Sequence, residues 1–182
     1  MELSEYTFET LRRDAEFILY RGHRGRQTDA GPSSILAMTP VLEHPALASL
    51  RRMEHEYSFK AELDPRWAVR PLALASHEGR TMLVLTDADG EPLDRLLGKP
   101  MELAQFLRPA VGLSTALGQM HGCGLVHKDL RPANILVNRA SGEAWLTGFG
   151  IASRLPRERQ APAPPESIAG RSPTWHPNRP DG

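Results

Sequence analysis

The chain has 182 residues, with 22 basic and 22 acidic side chains and a formal net charge of zero. This balance predicts a single near-neutral soluble domain and gives no electrostatic reason to expect nucleic acid or a membrane surface as a partner. The one cysteine, Cys123, excludes an internal disulfide. We find no signal peptide, no internal repeat and no apolar run long enough for a membrane span, which predicts a cytoplasmic location.

The first part of the chain has the alternation of an antiparallel sheet. Residues 5–12 and 17–21 are predicted to be two strands of a meander, and residues 34–40 a third strand. The connection at 13–16, Arg-Asp-Ala-Glu, contains no glycine and carries two acids. Residues 22–26, Gly-His-Arg-Gly-Arg, form a candidate phosphate cradle, but a GxxG pattern without a following helix more often marks a solvated turn.

A helix is predicted over residues 46–63, because apolar residues recur there near helical spacing and Pro65 follows its end. The apolar residues that set this spacing are Leu50, Met53, Tyr57 and Ala61. We therefore expect one amphipathic helix after the third strand.

The middle of the chain is predicted to pass from strands to helices. Residues 67–75 and 80–85 favour two strands, and the polar turn at 87–90 either closes a hairpin or forms a hinge. We favour a hinge, because residues 91–97 and 101–121 are predicted to be helical. The second helix has an apolar stripe that we expect to lie in the core, namely Leu103, Phe106, Leu107, Ala110, Leu113 and Leu117.

The segment from His127 to Asn134 carries the chemistry of the chain. It places the carboxylate of Asp129 and the carboxamide of Asn134 five residues apart, in a loop restrained by Pro132, and a short buried strand is predicted directly after it. A carboxylate and an amide at this spacing suit the two ends of a phosphoryl transfer, with Arg131 supplying a cation between them. An ordinary Asx-type turn fits the same residues, so the motif alone leaves both interpretations open.

The next motif, Trp-Leu-Thr-Gly-Phe-Gly at 145–150, is similar to the strand that leads into Asp-Phe-Gly in protein kinases, with Gly148 in place of the Asp. Together with the His-x-Asp-x-x-x-x-Asn loop and the residues Ile-Ala-Ser-Arg at 151–154, it resembles the Ser/Thr protein kinase superfamily. The run from 124 to 170 resembles the kinase-like module at the N-terminus of bacterial hybrid sensor histidine kinases. Small-molecule phosphotransferases share the Asp-to-Asn spacing and are the alternative enzyme class.

The resemblance implies an α+β, two-lobe fold. Residues 1–86 would form the N-terminal lobe, an antiparallel sheet with one helix. Residues 87–170 would form the hinge and the first part of a helical lobe that is incomplete, and residues 171–182 an irregular tail. In place of the Ala-Pro-Glu continuation of the family, this tail has an unrelated sequence. Our hypothesis is that a single-base deletion shifted the reading frame there and truncated the product.

The resemblance also assigns roles to individual residues. Asp129 would be the catalytic base and Arg131 the cation on the transferred phosphate, while Asn134 would hold the metal ion. Leu136 would lie under the nucleotide base, and Leu85 would end the strand that leads into the hinge. ATP and Mg²⁺ are the implied cofactors.

Three parts of that machinery are absent from the sequence. The acids at 13–16 replace a glycine-rich phosphate cover, Met38 or a neighbour stands in place of the lysine that pairs with phosphates, and Gly148 replaces a metal ligand. We therefore expect nucleotide binding to be weak or lost. Glu56, or alternatively Glu54, stands where kinases have the lysine's partner, and without the lysine we expect both acids on a solvated face.

These observations leave three functional hypotheses. The first is a working kinase that transfers phosphate from ATP to Ser or Thr. The second is a pseudokinase that regulates attached sensor or histidine-kinase modules in intact relatives. The third is a defective, truncated product whose apolar stripe lacks part of its cover.

Overall fold

The computed structural model of the chain describes residues 2–25, 31–98 and 100–156. The predicted tail at 171–182, the residues 157–170 that precede it and Arg26 of the candidate phosphate cradle lie outside these ranges. All statements about the fold and the site refer to the described residues.

Five strands form one antiparallel sheet in the order β1-β2-β3-β5-β4. Their bounds are β1 Tyr6–Arg13, β2 Phe17–Arg24, β3 Ser34–Pro40, β4 Pro71–His77 and β5 Arg80–Thr86. Alternating apolar residues of neighbouring strands meet across the sheet, as at Leu36 opposite Leu85. The first three strands agree with the sequence-based prediction, but the residues from Gly22 to Arg24 continue β2 and form neither a cradle nor a turn.

One helix, α1, spans Leu47–Ser58 and packs on the sheet. Its buried face consists of Ser49, Met53 and Glu56, which lie at i, i+4 and i+7 and so share one side of the helix. The helix ends earlier than predicted, and residues 59–62 continue as turns. Phe59 in these turns and Leu63 directly after them are buried in the core.

The chain leaves the sheet through a hinge. Strand β5 pairs with β3 and β4, whereas the next strand, β6 (Glu91–Pro92), pairs with β8 (Ile135–Val137), so the turn at 87–90 does not close a hairpin. The prediction of a helix over 91–97 is wrong at its start, because β6 is extended and only Leu93–Leu96 form a 3₁₀ turn. Strand β8 also pairs with β9 (Ala144–Leu146), and β7 (Leu125–Val126) pairs with β10 (Ser153–Arg154).

The second helix, α2, spans Leu103–Gly122, close to its predicted range. Only the C-terminal half of its apolar stripe meets the core, where Leu113 and Leu117 pack beside the buried Ala116 and Met120. The expectation that the whole stripe is core is wrong for three residues at the start of the helix. Leu103, Phe106 and Leu107 are 70%, 55% and 47% exposed.

Two apolar clusters position the site between the sheet and the second helix. One cluster joins Phe59 and Trp67 to Met120, Leu146 and Phe149. The other joins strands β1, β2, β3 and β5 to Leu136 of β8. The observed architecture is therefore α+β, as predicted, and the loop from His127 to Asn134 lies where the two parts meet. No helix in the described part of the chain is both long and apolar enough to cross a membrane.

Candidate active-site cleft

Asp129 and Asn134 face each other. The Asn134 amide Nδ2 donates hydrogen bonds to the Asp129 carbonyl oxygen at 2.8 Å and to its carboxylate Oδ2 at 3.0 Å. A 3₁₀ turn over Pro132–Asn134 sets this geometry, because the N–H of Asn134 donates to the carbonyl of Arg131. The loop is therefore a built site and not only an Asx-type turn.

His127 anchors the start of the loop. The ring is buried, and its Nε2 lies 3.0 Å from the carbonyl oxygen of Thr147, while its Nδ1 accepts a hydrogen bond from the N–H of Asp129 at 3.3 Å. Burial lowers the pKa of His127, although the Thr147 hydrogen bond and the charge of Asp129 oppose this shift. A neutral ring with its proton on Nε2 satisfies both contacts.

Phe149 ties this loop to the rest of the core. It is fully buried, with its ring centroid 4.7 Å from that of His127, 6.2 Å from Trp67 and 6.4 Å from Phe59. The aromatic rings therefore connect the loop from His127 to Asn134, which we call the catalytic loop after the kinase loop it resembles, to the end of α1. Such packing holds the Gly-Phe-Gly segment in one position.

Gly148 adopts a backbone conformation that favours glycine, with φ of +84°. A Cβ atom at this position would lie 2.9 Å from Cγ of Asn134 and 3.0 Å from its Oδ1. An aspartate could not be accommodated here unless Asn134 moved. The absence of a side chain at position 148 thus goes together with the position of Asn134, whose side chain fills the adjacent space.

Glu56 is only 1% exposed, so the expectation that it lies on a solvated face is wrong; Glu54 is exposed as expected. The N–H of Gly148 donates to Glu56 Oε1 at 3.1 Å. Burial raises the pKa of Glu56 to about 7, although hydrogen bonds from Gly148 and Phe149 and two nearby arginines oppose the shift. The Glu56 carboxyl group therefore binds the backbone of the Gly-Phe-Gly segment, whereas the corresponding residue of kinases pairs with a lysine.

Arg12, at the end of β1, reaches across the cleft. Its Nη1 donates to the carbonyl oxygen of Ala133 at 2.6 Å and to Oδ1 of Asn134 at 2.7 Å. The side chain is 8% exposed, and burial lowers its pKa, with the charge of Asp14 acting in the opposite direction. The amide oxygen of Asn134 is therefore bonded to a guanidinium group.

Ion pairs join the β1–β2 turn, which consists of residues 14–16, to the catalytic loop and to α1. Asp14 Oδ2 lies 3.1 Å from Nη2 of Arg131, and Glu16 Oε2 lies 2.5 Å from Nη1 of Arg52. Asp129 Oδ2 lies between these cations, 3.5 Å from Arg131 Nε and 3.9 Å from Arg52 Nη2. Arg52 and Arg131 are thus each already paired with protein carboxylates.

The predicted base-binding residues belong to the second apolar cluster. Leu85 and Leu136 are both 0% exposed. The cluster of buried residues that encloses them is Leu11, Phe17, Leu19, Leu36, Met38, Met53, Val69, Leu83, Leu85 and Leu136. Gly90 of the hinge approaches so closely that a Cβ there would lie 2.9 Å from Cβ of Leu136. Side chains of the protein itself therefore cover both leucines.

A family model of the protein kinase domain matches residues 34–175. The chain belongs to the protein kinase family. It is 34% identical over 122 residues to the serine/threonine-protein kinase PknA of Mycobacterium tuberculosis, a match that covers 64% of this chain and 24% of that protein. It is 28% identical over 140 residues to the serine/threonine-protein kinase PknD of Protochlamydia amoebophila, covering 72% of this chain and 13% of that protein. The matches thus span a quarter or less of these kinases.

The family assignment confirms the kinase-like two-lobe fold predicted from the sequence. The described part of the N-terminal lobe is the five-stranded sheet with α1, and that of the C-terminal lobe contains α2 with the short strands β6 to β10. The catalytic loop and the Gly-Phe-Gly segment lie between them. Kinases of this family use ATP and Mg²⁺ in general.

The residues in the cleft do not fit a magnesium ion in the kinase manner. Kinases hold the ion with the Asp of Asp-Phe-Gly and the Asn of the catalytic loop. In this chain Gly148 has no side chain to bind the ion, and Oδ1 of Asn134 accepts a hydrogen bond from Arg12. Within residues 2–25, 31–98 and 100–156, no group of three or more His, Cys, Asp or Glu side chains could hold a metal.

The structure brings together the predicted residues Asp129, Arg131 and Asn134, and it places Leu85 and Leu136 together in a separate apolar cluster. Sequence reasoning missed Arg12 and Arg52. The available signal was the mixture of charges at 12–16, where both signs occur in place of glycines. Charges of both signs in one turn allow pairing within the protein, whereas the acids alone suggested only repulsion of a ligand.

Proposed function

We propose that the chain is a protein-kinase-like module with impaired phosphate transfer, and that its remaining role is regulatory. The observation that carries this proposal is the hydrogen bond from Arg12 to Oδ1 of Asn134, which occupies the atom that a magnesium ion would use. Met38, buried in the apolar cluster, and Gly148 supply neither the phosphate-binding cation nor the metal-binding carboxylate of active kinases.

Typical free-energy contributions to catalysis favour impaired phosphate transfer. Loss of one preorganised group that stabilises transition-state charge typically costs ~3–4 kcal/mol of activation free energy. A retained general base is worth ~10²–10⁴-fold in rate, and it acts only on a substrate that the other groups have positioned. The losses are not additive, but the lysine, the metal ligand and the phosphate cover are all absent.

A working kinase is the second candidate, because the catalytic loop itself is assembled. In that case Asp129 would be the base, Arg131 the phosphate-binding cation and Asn134 the metal ligand. Leu136 would lie under the nucleotide base, and Leu85 would end the strand that leads into the hinge. The Asp129–Asn134 contact at 3.0 Å supports this alternative. The division into lobes at residue 86, with a first part of the second lobe up to residue 170, also stays a prediction.

We further propose that intact relatives of this module act on attached sensor or histidine-kinase modules in a bacterial cytoplasm. This proposal rests on the resemblance of residues 124–170 to the kinase-like module of hybrid sensor histidine kinases. The relatives named above are serine/threonine kinases, so a Ser/Thr-kinase origin is the part that the comparisons support. The frameshift hypothesis for the tail is tested by sequencing the gene downstream of the codon for Gly170.

The deciding experiment is a nucleotide titration of the wild-type chain and of Asp129→Asn. Thermal shift would be followed with ATP, with and without Mg²⁺, together with transfer of the γ-phosphate to protein. We expect no magnesium-dependent shift and no transfer above the level of Asp129→Asn. A magnesium-dependent shift with transfer that Asp129→Asn abolishes would establish an active kinase and overturn the proposal.

A further inference from the structure

The side chain of Asp14 sets the shape of the β1–β2 turn. Asp14 Oδ1 accepts hydrogen bonds from the N–H groups of Glu16 at 2.9 Å and Phe17 at 2.7 Å, and the N–H of Asp14 donates to the carbonyl of Phe17 at 3.0 Å. These bonds, together with Arg12 and Arg131, hold the pKa of Asp14 below its usual value, although burial opposes the shift. The second carboxylate oxygen stays available to a partner outside the turn.

That partner is the catalytic loop. Asp14 Oδ2 accepts a hydrogen bond from Nη2 of Arg131 at 3.1 Å, and Glu16, two residues on, pairs with Arg52 of α1. Carboxylate oxygens and phosphate oxygens are equivalent acceptors for a guanidinium group. The two acids of the turn therefore satisfy the cations that a phosphate group would otherwise contact.

Arg12, at the end of β1 two residues before Asp14, makes further contacts with the catalytic loop. It binds Oδ1 of Asn134 and the carbonyl of Ala133, so a cation of the protein stands where a metal would be bound. Its Nε is buried and has no hydrogen-bond partner within the described residues, and the same holds for Nε of Arg52. Buried donors left unpaired reduce the stability of a closed state.

We propose that the β1–β2 turn and the end of β1 are an internal occupant of the cleft that blocks a phosphate-bearing ligand. Arg12 and Asp14 hold the two lobes closed through their contacts with residues 131–134, and Glu16 occupies Arg52 within the N-terminal lobe. This inference rests on the proposed function, because it describes how the impaired cleft is regulated. Opening requires the separation of partly exposed ion pairs, whose strength falls as ionic strength rises. The closed state is therefore reversible.

The test is amide hydrogen exchange of residues 129–134 in the wild-type chain and in the variant Asp14→Asn. Asparagine keeps an oxygen for the N–H groups of Glu16 and Phe17, so the turn keeps its shape while the charge that pairs with Arg131 is lost. We expect exchange of 129–134 to rise by about threefold to tenfold in the variant. An increase of ionic strength from about 0.05 M to about 0.5 M should raise exchange in the wild type and have little effect in the variant.

Glu9→Gln is the matched control, because Glu9 lies on β1, the strand that leads into the turn, and forms only an exposed pair with His23 at 3.7 Å. Equal exchange in wild type and Asp14→Asn, or an equal rise in Glu9→Gln, overturns the proposal. Loss of protection in β5 as well would show a merely structural role and would also overturn it. Because no nucleotide is present, this experiment can fail while the proposal of impaired catalysis stands, and the reverse is also possible.

Discussion

Asn134 is the residue at which the departures from the kinase pattern meet. Its amide donates to Asp129, its oxygen accepts from Arg12, and its Cγ lies where a Cβ of residue 148 would approach to 2.9 Å. A carboxamide has two donor hydrogens and one acceptor oxygen, so these contacts use most of its capacity. The glycine at 148 and the arginine at 12 are thus two parts of one local arrangement, in which the protein itself satisfies Asn134.

Glu56 gives a prediction about pH. Its pKa is raised from 4.5 to about 7 by burial, so the folded state disfavours the carboxylate. The unfolded state ionises near 4.5, so the stability contributed by this residue is complete below that pH and is lost as pH rises to about 7. Glu56→Gln keeps an oxygen for the N–H of Gly148 and stays neutral. Relative to wild type, its free energy of unfolding should rise by roughly 2–3 kcal/mol between about pH 5 and about pH 8.

Urea unfolding of both proteins at the two pH values measures this difference directly. The comparison between wild type and variant cancels the pH dependence of all other groups that the substitution leaves unchanged. Glu54→Gln is the control, because Glu54 is exposed on the same helix and should show no such change. A pH-independent difference between wild type and Glu56→Gln would show that Glu56 is charged throughout this range.

Contacts between residues far apart in the sequence were predicted least well. The hydrogen bond between Gly148 and Glu56 joins positions 92 residues apart, and that between Arg12 and Asn134 joins positions 122 apart. Local pattern classifies Glu56 only as a polar residue on a helix. The Asp129–Asn134 contact was predictable because both residues lie in one short loop with a recognisable spacing.

At the scale of elements, α2 is held against the β8–β9 turn by two glycines. A Cβ at Gly112 would lie 2.1 Å from the carbonyl oxygen of Gly142, and a Cβ at Gly142 would lie 2.7 Å from Cβ of Arg108. The backbones therefore approach more closely than any larger residue allows. This approach positions β8, which is the strand that follows the catalytic loop.

Gly112→Ala should therefore destabilise the protein, although alanine is the better helix former. We expect a loss of about 2 kcal/mol or more in the free energy of unfolding, because the new methyl group meets backbone that cannot move aside easily. Gly118→Ala, in the same helix, has nothing within 4 Å of its added Cβ and should gain up to about 1 kcal/mol. Chemical denaturation of the two variants checks both; equal effects would contradict the close approach.

The strands show what sequence can predict at this scale. Ser34–Pro40 and the strand from Arg80 matched their predicted positions closely, because alternation and flanking turns mark them. The strand predicted from 67 begins at Pro71, since Trp67 and Ala68 instead contact β9 through backbone hydrogen bonds and a bridge at Leu146. Such a contact between distant segments has no signal in local periodicity.

At the scale of the whole molecule, the α+β class and the kinase family were predictable because the catalytic loop and the Gly-Phe-Gly segment carry a specific pattern. The exposed start of α2 was not, because helical periodicity identifies an apolar face without showing what covers it. The surface there, which we call the α2 patch, consists of Leu103, Phe106, Leu107 and Val111. Their side chains are 47% to 70% exposed among the described residues.

The α2 patch predicts self-association of the isolated chain. Contiguous exposed apolar residues promote association, and a net charge of zero provides no repulsion against it. Phe106→Gln/Leu107→Gln should lower the apparent mass in light scattering at high protein concentration and change the free energy of unfolding by no more than about 0.5 kcal/mol. Leu42→Gln is the matched control, because Leu42 is 65% exposed outside the patch. If both variants reduce association equally, general hydrophobicity is responsible; if neither does, the patch does not mediate contacts between chains.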